Sequence, residues 1–316
     1  MAAKDRARLA GVASVRRRAG RYQSPGYRAK RLLLGRPLQT SQLVDQRITK
    51  TVALAVFSSD PISSTAYGTE FILIVLVTGQ GATRLTMPVS LAIGGLLLLL
   101  VVSYRQVIDT YPSAGGAYVV SRDNFGNKVA SVAGAALLVD YVLTVAVSVS
   151  GGVQAMVAVI RGLEPYQVEI SVGLIVLLAW ANLRGIREAG RIFAIPTYVY
   201  VAGLAAMILY GLYRSATGTL GTIHYAPANA KLLDHAGQPL GSITLFLVLR
   251  AFAAGTTALT GVEAISNGVS AFRRPQARNA KQTLLVMALI MGSLLWGSAI
   301  WPRRWLPAHS PAATRR

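Results

Sequence analysis

Carboxylate side chains occur within apolar segments of this 316-residue sequence, where a lipid bilayer would make them costly. Asp60 lies in "AVFSSDPISSTAYGTE", Asp140 in "LLVDYVLTVAVSVSGG" and Glu263 in "LRAFAAGTTALTGVEAISNG". A carboxylate costs about 2.5–3.5 kcal/mol at the centre of a membrane helix, so each of these acids should have a partner. Carboxylates that lie close together without a cation repel one another and take up protons. The three acids therefore predict a shared cation.

Hydroxyl groups accompany the second of these acids at helical spacing. Asp140, Thr144 and Ser148 are four residues apart and share one helix face, with Tyr141 beside it. Hydroxyls at this spacing can also bond to their own helix or join two helices, so a structural role for Ser148 stays open. Carboxylate, hydroxyl, phenol and carbonyl oxygens are the ligands that hard cations prefer. This face predicts one wall of a cation site.

Other charged residues in the apolar segments leave structural alternatives open. Glu70 could contribute to the site or face a structural partner. Arg250 could neutralise one of the acids, and such a salt bridge would spoil a cation site. Asp60 itself could act only as a helix cap.

The elements that must hold these groups are predicted to be interrupted helices. Pro61 lacks an amide hydrogen and disfavours the helical conformation at the residue before it, so we expect the helix to open there, with Asp60 capping its second half. Gly255 and Gly261 bracket a hydroxyl-rich stretch before Glu263 and predict a second break, although glycines can also only permit close packing. Two interrupted spans, five apart, are typical of inverted-repeat transporters, whose binding site lies at the breaks.

The composition is that of a polytopic membrane protein. The chain is 53% hydrophobic and 14% charged, against about a quarter charged in a soluble domain. The net charge of +20 does not indicate a nucleic-acid partner, because 13 of the 32 Lys and Arg lie in residues 1–50 and most others lie between apolar segments. There is no cysteine, and no phosphate-binding or serine-hydrolase motif, so we expect neither an enzyme nor a bound cofactor.

The chain divides into three predicted regions. Residues 1–50 form a basic, largely disordered cytoplasmic tail, for which a mitochondrial presequence is the alternative. Residues 51–301 form a transmembrane domain of about seven helices, and residues 302–316 form an Arg/Pro-rich tail unlike the rest. The spans are predicted near 51–79, 87–109, 129–160, 167–183, 192–213, 242–270 and 282–301.

The distribution of Lys and Arg predicts the orientation. Loops on the side of the basic tail carry most of the remaining positive charge, so the N-terminus is expected in the cytoplasm of a multi-pass cell-membrane protein. Residues 302–316 break this rule with four arginines on the opposite side. We interpret them as a truncated or frameshifted end, and expect the chain alone to be an inactive part of a transporter.

Three motifs resemble a known family. "YPSAGGAYVVSRDNFG" (111–126) resembles the amino acid–polyamine–organocation (APC) permeases. "SSDPISSTAYGTE" and "TALTGVEAISNGVSAF" (257–272) resemble the KimA-type potassium importers of the KUP family, and the resemblance covers about residues 40–300. It implies an all-α fold with a five-plus-five inverted repeat, broken spans 1 and 6, and a potassium site. Carried over by motif, the site consists of Asp60, Tyr67, Asp140, Tyr141, Thr144, Thr260 and Glu263, with Ser148 added because it shares their helix face.

The sequence thus predicts potassium uptake coupled to protons. Glu263 is the expected proton carrier, because it lies on a half-helix expected to move, and Asp140 is the alternative. The expected partners are the lipid bilayer and a potassium ion, with a homodimer left open and no nucleic acid. The alternatives are an amino acid or polyamine permease, and a membrane fragment that transports nothing.

Overall fold

The computed structural model describes most of the predicted transmembrane domain. Beyond the described residues lie the predicted tails up to residue 46 and from 301 onward, and the loop that holds His224 and His235. The described residues are 47–77, 82–112, 115–183, 186–219 and 243–300, with no account of the side chains of 186–189 and 191–192.

The described residues form helices and contain no β-strand, as the sequence predicts. The helices are α1 (Lys50–Leu76), α2 (Thr86–Thr110), α3 (Gly116–Phe125), α4 (Asn127–Val159), α5 (Gln167–Leu183), α6 (Ile186–Ala216), α7 (Leu245–Gly255), α8 (Ala264–Asn267) and α9 (Gln276–Ile300). Short 3₁₀ segments precede α2 and α5 and follow α7 and α8.

These helices coincide with the seven predicted spans. Within the described part of the chain, six helical stretches are long and apolar enough to cross a membrane, and they correspond to α2, α4, α5, the part of α6 from Phe193 onward, the α7–α8 pair and α9. The remaining span is α1, which is about 40 Å long at 1.5 Å per residue but carries Asp60, Glu70 and several hydroxyl residues. The fold is that of a polytopic, all-helical membrane protein.

The predicted opening of span 1 is wrong, because α1 runs through Pro61 as one helix. Asp60 is accordingly an interior helix residue and not an N-cap. Hydroxyl groups bond to helix carbonyls on both sides of the proline: Ser59 donates to the Val56 carbonyl at 3.3 Å, and Ser63 donates to the Asp60 carbonyl at 2.9 Å. Neither bond reaches the Phe57 carbonyl, which loses its helical partner at Pro61; a membrane helix tolerates proline when neighbouring helices pack around it.

The predicted interruption of span 6 is confirmed. Helix α7 ends at Gly255, a 3₁₀ segment (Thr256–Leu259) follows, and helix resumes only at Ala264. Between them Thr260 is extended (φ −60°, ψ 135°), and Gly261 has a φ of +82°, a conformation that favours glycine. The positive φ angle of Gly261 thus interrupts the helical backbone between the two halves of span 6.

The buried core lies among α1, α2, α7–α8 and α9. Ile72 of α1, Ile93 of α2 and Met287 of α9 are fully buried in one apolar cluster. Helix α1 approaches span 6 closely at Gly68, where a Cβ atom would lie 2.6 Å from the Cβ of Ala258. No residue of α4 or α5 belongs to this cluster, although Val149 and Val153 of α4 are buried.

The chain entering α1 pairs with the chain leaving span 6. The Ile48 amide donates to the Ala271 carbonyl at 2.9 Å, and the Arg273 amide donates to the Ile48 carbonyl at 3.2 Å. The ring of Phe57 stacks on that of the fully buried Phe272, with centroids 5.7 Å apart. These contacts join the first turns of α1 to the chain that follows the second half of span 6, so the two elements pack together at this end.

Candidate cation site

Asp60 lies where spans 1, 3 and 6 meet. Its Oδ1 atom accepts a hydrogen bond from the Ser148 hydroxyl of α4 at 3.2 Å. Its Oδ2 atom faces Gly261, where a Cβ atom would lie only 2.5 Å away. The half-buried carboxylate is therefore held between the helix face predicted as one wall and the break of span 6.

The next turn of α1 extends this polar region. The Ser64 hydroxyl donates to the Asp60 carbonyl at 2.8 Å and lies 2.5 Å from the Tyr67 hydroxyl. Ser64 is buried and Tyr67 is half-buried. The phenol of Tyr67 is thus linked through one serine to the backbone of Asp60.

Glu263 follows the break and has a free acceptor atom. Its Oε1 atom is buried and has no hydrogen-bond partner in the described part of the chain, while the backbone amides of Gly261 and Glu263 lie against the carboxylate. Its charge interacts with those of Asp60 and Asp140. A buried acceptor of this kind is costly unless a donor, a proton or a cation reaches it.

The α4 residues of the predicted site differ in burial. Asp140 and Tyr141 are exposed, and Thr144 is half-buried on the face that ends at Ser148. Tyr141 accepts a hydrogen bond from the Asn267 side chain of α8 at 2.6 Å. Helix α4 therefore contacts span 6 through Tyr141 and span 1 through Ser148.

The acids do not form a compact metal-ligand cluster. No group of three or more Asp, Glu, His or Cys side chains in the described residues is arranged to hold a metal ion. The negative charge of Asp60 interacts with that of Asp140, and the negative charge of Glu263 interacts with those of both aspartates. The Asp60 carboxylate accepts a hydrogen bond from the Ser148 hydroxyl, and Thr260, half-buried in the break, directly precedes Gly261 in sequence. The arrangement fits a cation held by mixed oxygen ligands.

Arg250 and Glu70, the other charged residues considered for the site, are both exposed. Arg250 is exposed on α7, and in the described ranges it forms no ion pair with any of the site acids. Glu70 is exposed near the end of α1 and is not placed with the site residues. The salt bridge that would spoil a cation site is therefore not formed.

Three residues near the site were missed by sequence reasoning. Asn267 bonds to Tyr141, Ser64 joins Tyr67 to the Asp60 backbone, and Tyr104 of α2 lies within electrostatic range of Asp140, Tyr141 and Glu263. Asn267 and Ser64 each follow a predicted site acid by four residues, which is a helical-face signal that could have identified them. Tyr104 has no such signal, because it lies on another helix.

Two comparisons with known proteins identify the family of the chain. The sequence model of the amino acid permease family matches residues 49–301, and the chain belongs to this family of membrane transporters, which are not enzymes. One relative is the potassium transporter KimA of Bacillus subtilis (strain 168), which is 44% identical over 286 residues. That match covers 90% of the chain and 46% of KimA, so the chain spans about half the length of this relative.

Proposed function

We propose that this chain carries the cation-binding half of a potassium transporter. The observation that carries the proposal is the position of Asp60, whose two carboxylate oxygens face the Ser148 hydroxyl and the Gly261 break. Similarity to a potassium transporter supports the choice of ion. The potassium ion is the transported species, and its ligands would be Asp60, Tyr67, Asp140, Thr144, Ser148, Thr260 and Glu263, with Tyr141 at the inner end.

Proton coupling is assigned to Glu263. Its unpartnered Oε1 atom can hold either a cation or a proton, and burial and neighbouring acids make the empty charged state unfavourable. For both species to move inward, Glu263 would carry its proton while the other oxygen ligands hold potassium, and both would be released on the cytoplasmic side in the same step.

An amino acid or amine permease is the second candidate, because the matching family is described as amino acid permease. The geometry favours a cation: an amino acid carboxylate would meet the negative charge of Asp60 at the break. A cationic amine would satisfy the same acids and is therefore the competitor to test.

The proposed location is the cell membrane, with the N-terminus in the cytoplasm. The distribution of Lys and Arg supports this orientation, and the apolar helices make the chain multi-pass. Transport by alternating access requires one repeat to move against the other, so we propose that it also needs the portion of KimA that this chain does not match.

The first test is rubidium binding to the purified 316-residue chain in lipid nanodiscs, competed with potassium, sodium, amino acids and polyamines. Potassium should displace rubidium, and amino acids and amines should not. Ser148→Ala removes a hydrogen bond to a carboxylate, for which a loss of about 1.5 kcal/mol, or about tenfold in affinity, is expected. Ser131→Ala is the matched control, because Ser131 lies exposed on the same helix and bonds only to its own backbone, at Asn127.

Displacement by an amine and not by potassium would replace the proposal with the second candidate. Absence of rubidium binding would contradict both the ion and the site. Transport is measured in proteoliposomes that contain either this chain or this chain joined to the remainder of KimA. Concentrative uptake by the chain alone would contradict the need for a further portion.

A further inference from the structure

Asn267 joins three elements at the inner end of the candidate site. It is the last residue of α8, one helical turn after Glu263, and its Nδ2 atom donates to the Tyr141 hydroxyl at 2.6 Å. Its backbone carbonyl accepts a weak hydrogen bond from the Gly115 amide at 3.4 Å. Its Oδ1 atom is buried, has no hydrogen-bond partner among the described residues, and lies against Gly116.

The glycine pair of the "YPSAGGAY" motif is explained by this contact. Gly115 and Gly116 have φ angles of +112° and +40°. A Cβ atom on Gly116 would lie 1.8 Å from Oδ1 of Asn267 and 3.2 Å from the Ser266 hydroxyl. No side chain fits at Gly116, so the loop before α3 lies directly on the end of α8.

The bond to Asn267 also sets the direction of the Tyr141 hydroxyl. Because the phenol oxygen accepts the amide hydrogen, its own hydrogen is available to donate elsewhere, and Glu263 is a charged group within electrostatic range. The second lone pair of the same oxygen stays available to a cation. Without the amide, the phenol would be free to rotate away, since Tyr141 is exposed on α4.

We propose that Asn267 is a positioning residue for Tyr141, and this inference rests on the proposed function. It holds the Tyr141 hydroxyl in register with Glu263 as the inner half of span 6 moves. Its effect on potassium binding passes through Tyr141.

A double-mutant cycle in the full 316-residue chain in nanodiscs tests the proposal. Asn267→Ala and Tyr141→Phe should each weaken rubidium binding about tenfold, as expected for loss of a hydrogen bond beside charged groups. The double variant should bind no more weakly than Tyr141→Phe alone. Asn124→Ala is the matched control, because this exposed asparagine bonds only to its own helix, and it should bind as wild type. Unchanged binding by Asn267→Ala, or additive losses in the double variant, would overturn the proposal.

A second readout does not depend on ion binding. With 3-fluorotyrosine incorporated, the ¹⁹F resonance of Tyr141 is assigned by its loss in Tyr141→Phe. Asn267→Ala should shift that resonance, and Asn124→Ala should leave it in place. If the wild-type chain binds no rubidium, the proposed function fails, but this measurement still tests the contact between Asn267 and Tyr141. An unshifted resonance in Asn267→Ala would overturn the positioning role of Asn267.

Discussion

Replacing Gly261 with alanine should disturb the break of span 6 and the carboxylate of Asp60 together. A residue with a Cβ atom pays about 1–2 kcal/mol in the left-handed conformation that Gly261 adopts. The added carbon would lie 2.5 Å from Oδ2 of Asp60 and 3.1 Å from Cδ of Pro61, well inside the optimal separation of about 3.5–4.0 Å between carbon atoms. Pro61 is a buried helix residue, so the carboxylate must move.

Both effects should be measurable on the purified chain. The conformational cost together with the forced displacement should lower the free energy of unfolding by about 2–4 kcal/mol. Rubidium binding should fall by tenfold or more, since about 1.4 kcal/mol corresponds to a factor of ten. The assays are unfolding in mixed micelles, followed by tryptophan fluorescence, and rubidium binding in nanodiscs.

Gly292→Ala is the control for this experiment. Gly292 lies in α9, and no heavy atom would lie within 4 Å of an added Cβ, so alanine should stabilise the helix by up to about 1 kcal/mol. If Gly261→Ala unfolds like this control and binds rubidium like wild type, the assignment of the break to the cation site is refuted. If Gly261→Ala is as stable as the control but loses rubidium binding, the predicted conformational cost is refuted and the predicted displacement of Asp60 is retained.

Three further predictions follow from the same geometry. Asp60→Asn in the chain joined to the remainder of KimA should abolish potassium uptake at limiting potassium, and unchanged uptake would remove this residue from the site. Glu263→Gln should keep downhill potassium exchange but lose uptake driven by a pH gradient, because an amide cannot carry a proton; retained pH-driven uptake would assign coupling to another group. Gly68→Ala should destabilise the packing of α1 on Ala258 by about 1–3 kcal/mol in the unfolding assay, whereas Gly95→Ala, with open space around its Cβ position, should not; equal stability of the two variants would contradict the close approach.

The periodic and local features of the chain were predictable from sequence. Helices lie at all seven predicted spans, and six of the helical stretches are long and apolar enough to cross a membrane, because a long apolar run bounded by polar residues is identified by hydropathy alone. The break of span 6 was predictable because Gly261 reverses the backbone locally. The opening of α1 was predicted wrongly because proline is a local signal, whereas the packing around the buried Pro61, which lies against Gly261 of span 6, depends on the tertiary structure.

By itself, the sequence determined that this is a polytopic helical protein with acids in its spans, because a membrane span is recognised from its amino-acid composition and from the length of its apolar runs. Only the tertiary structure decided which atoms meet. The Ser148 hydroxyl reaches Asp60 across 88 residues, and Asn267 reaches Tyr141 across 126. Such contacts depend on the crossing of helices distant in the chain, and no spacing within one helix encodes which face of another helix will lie opposite.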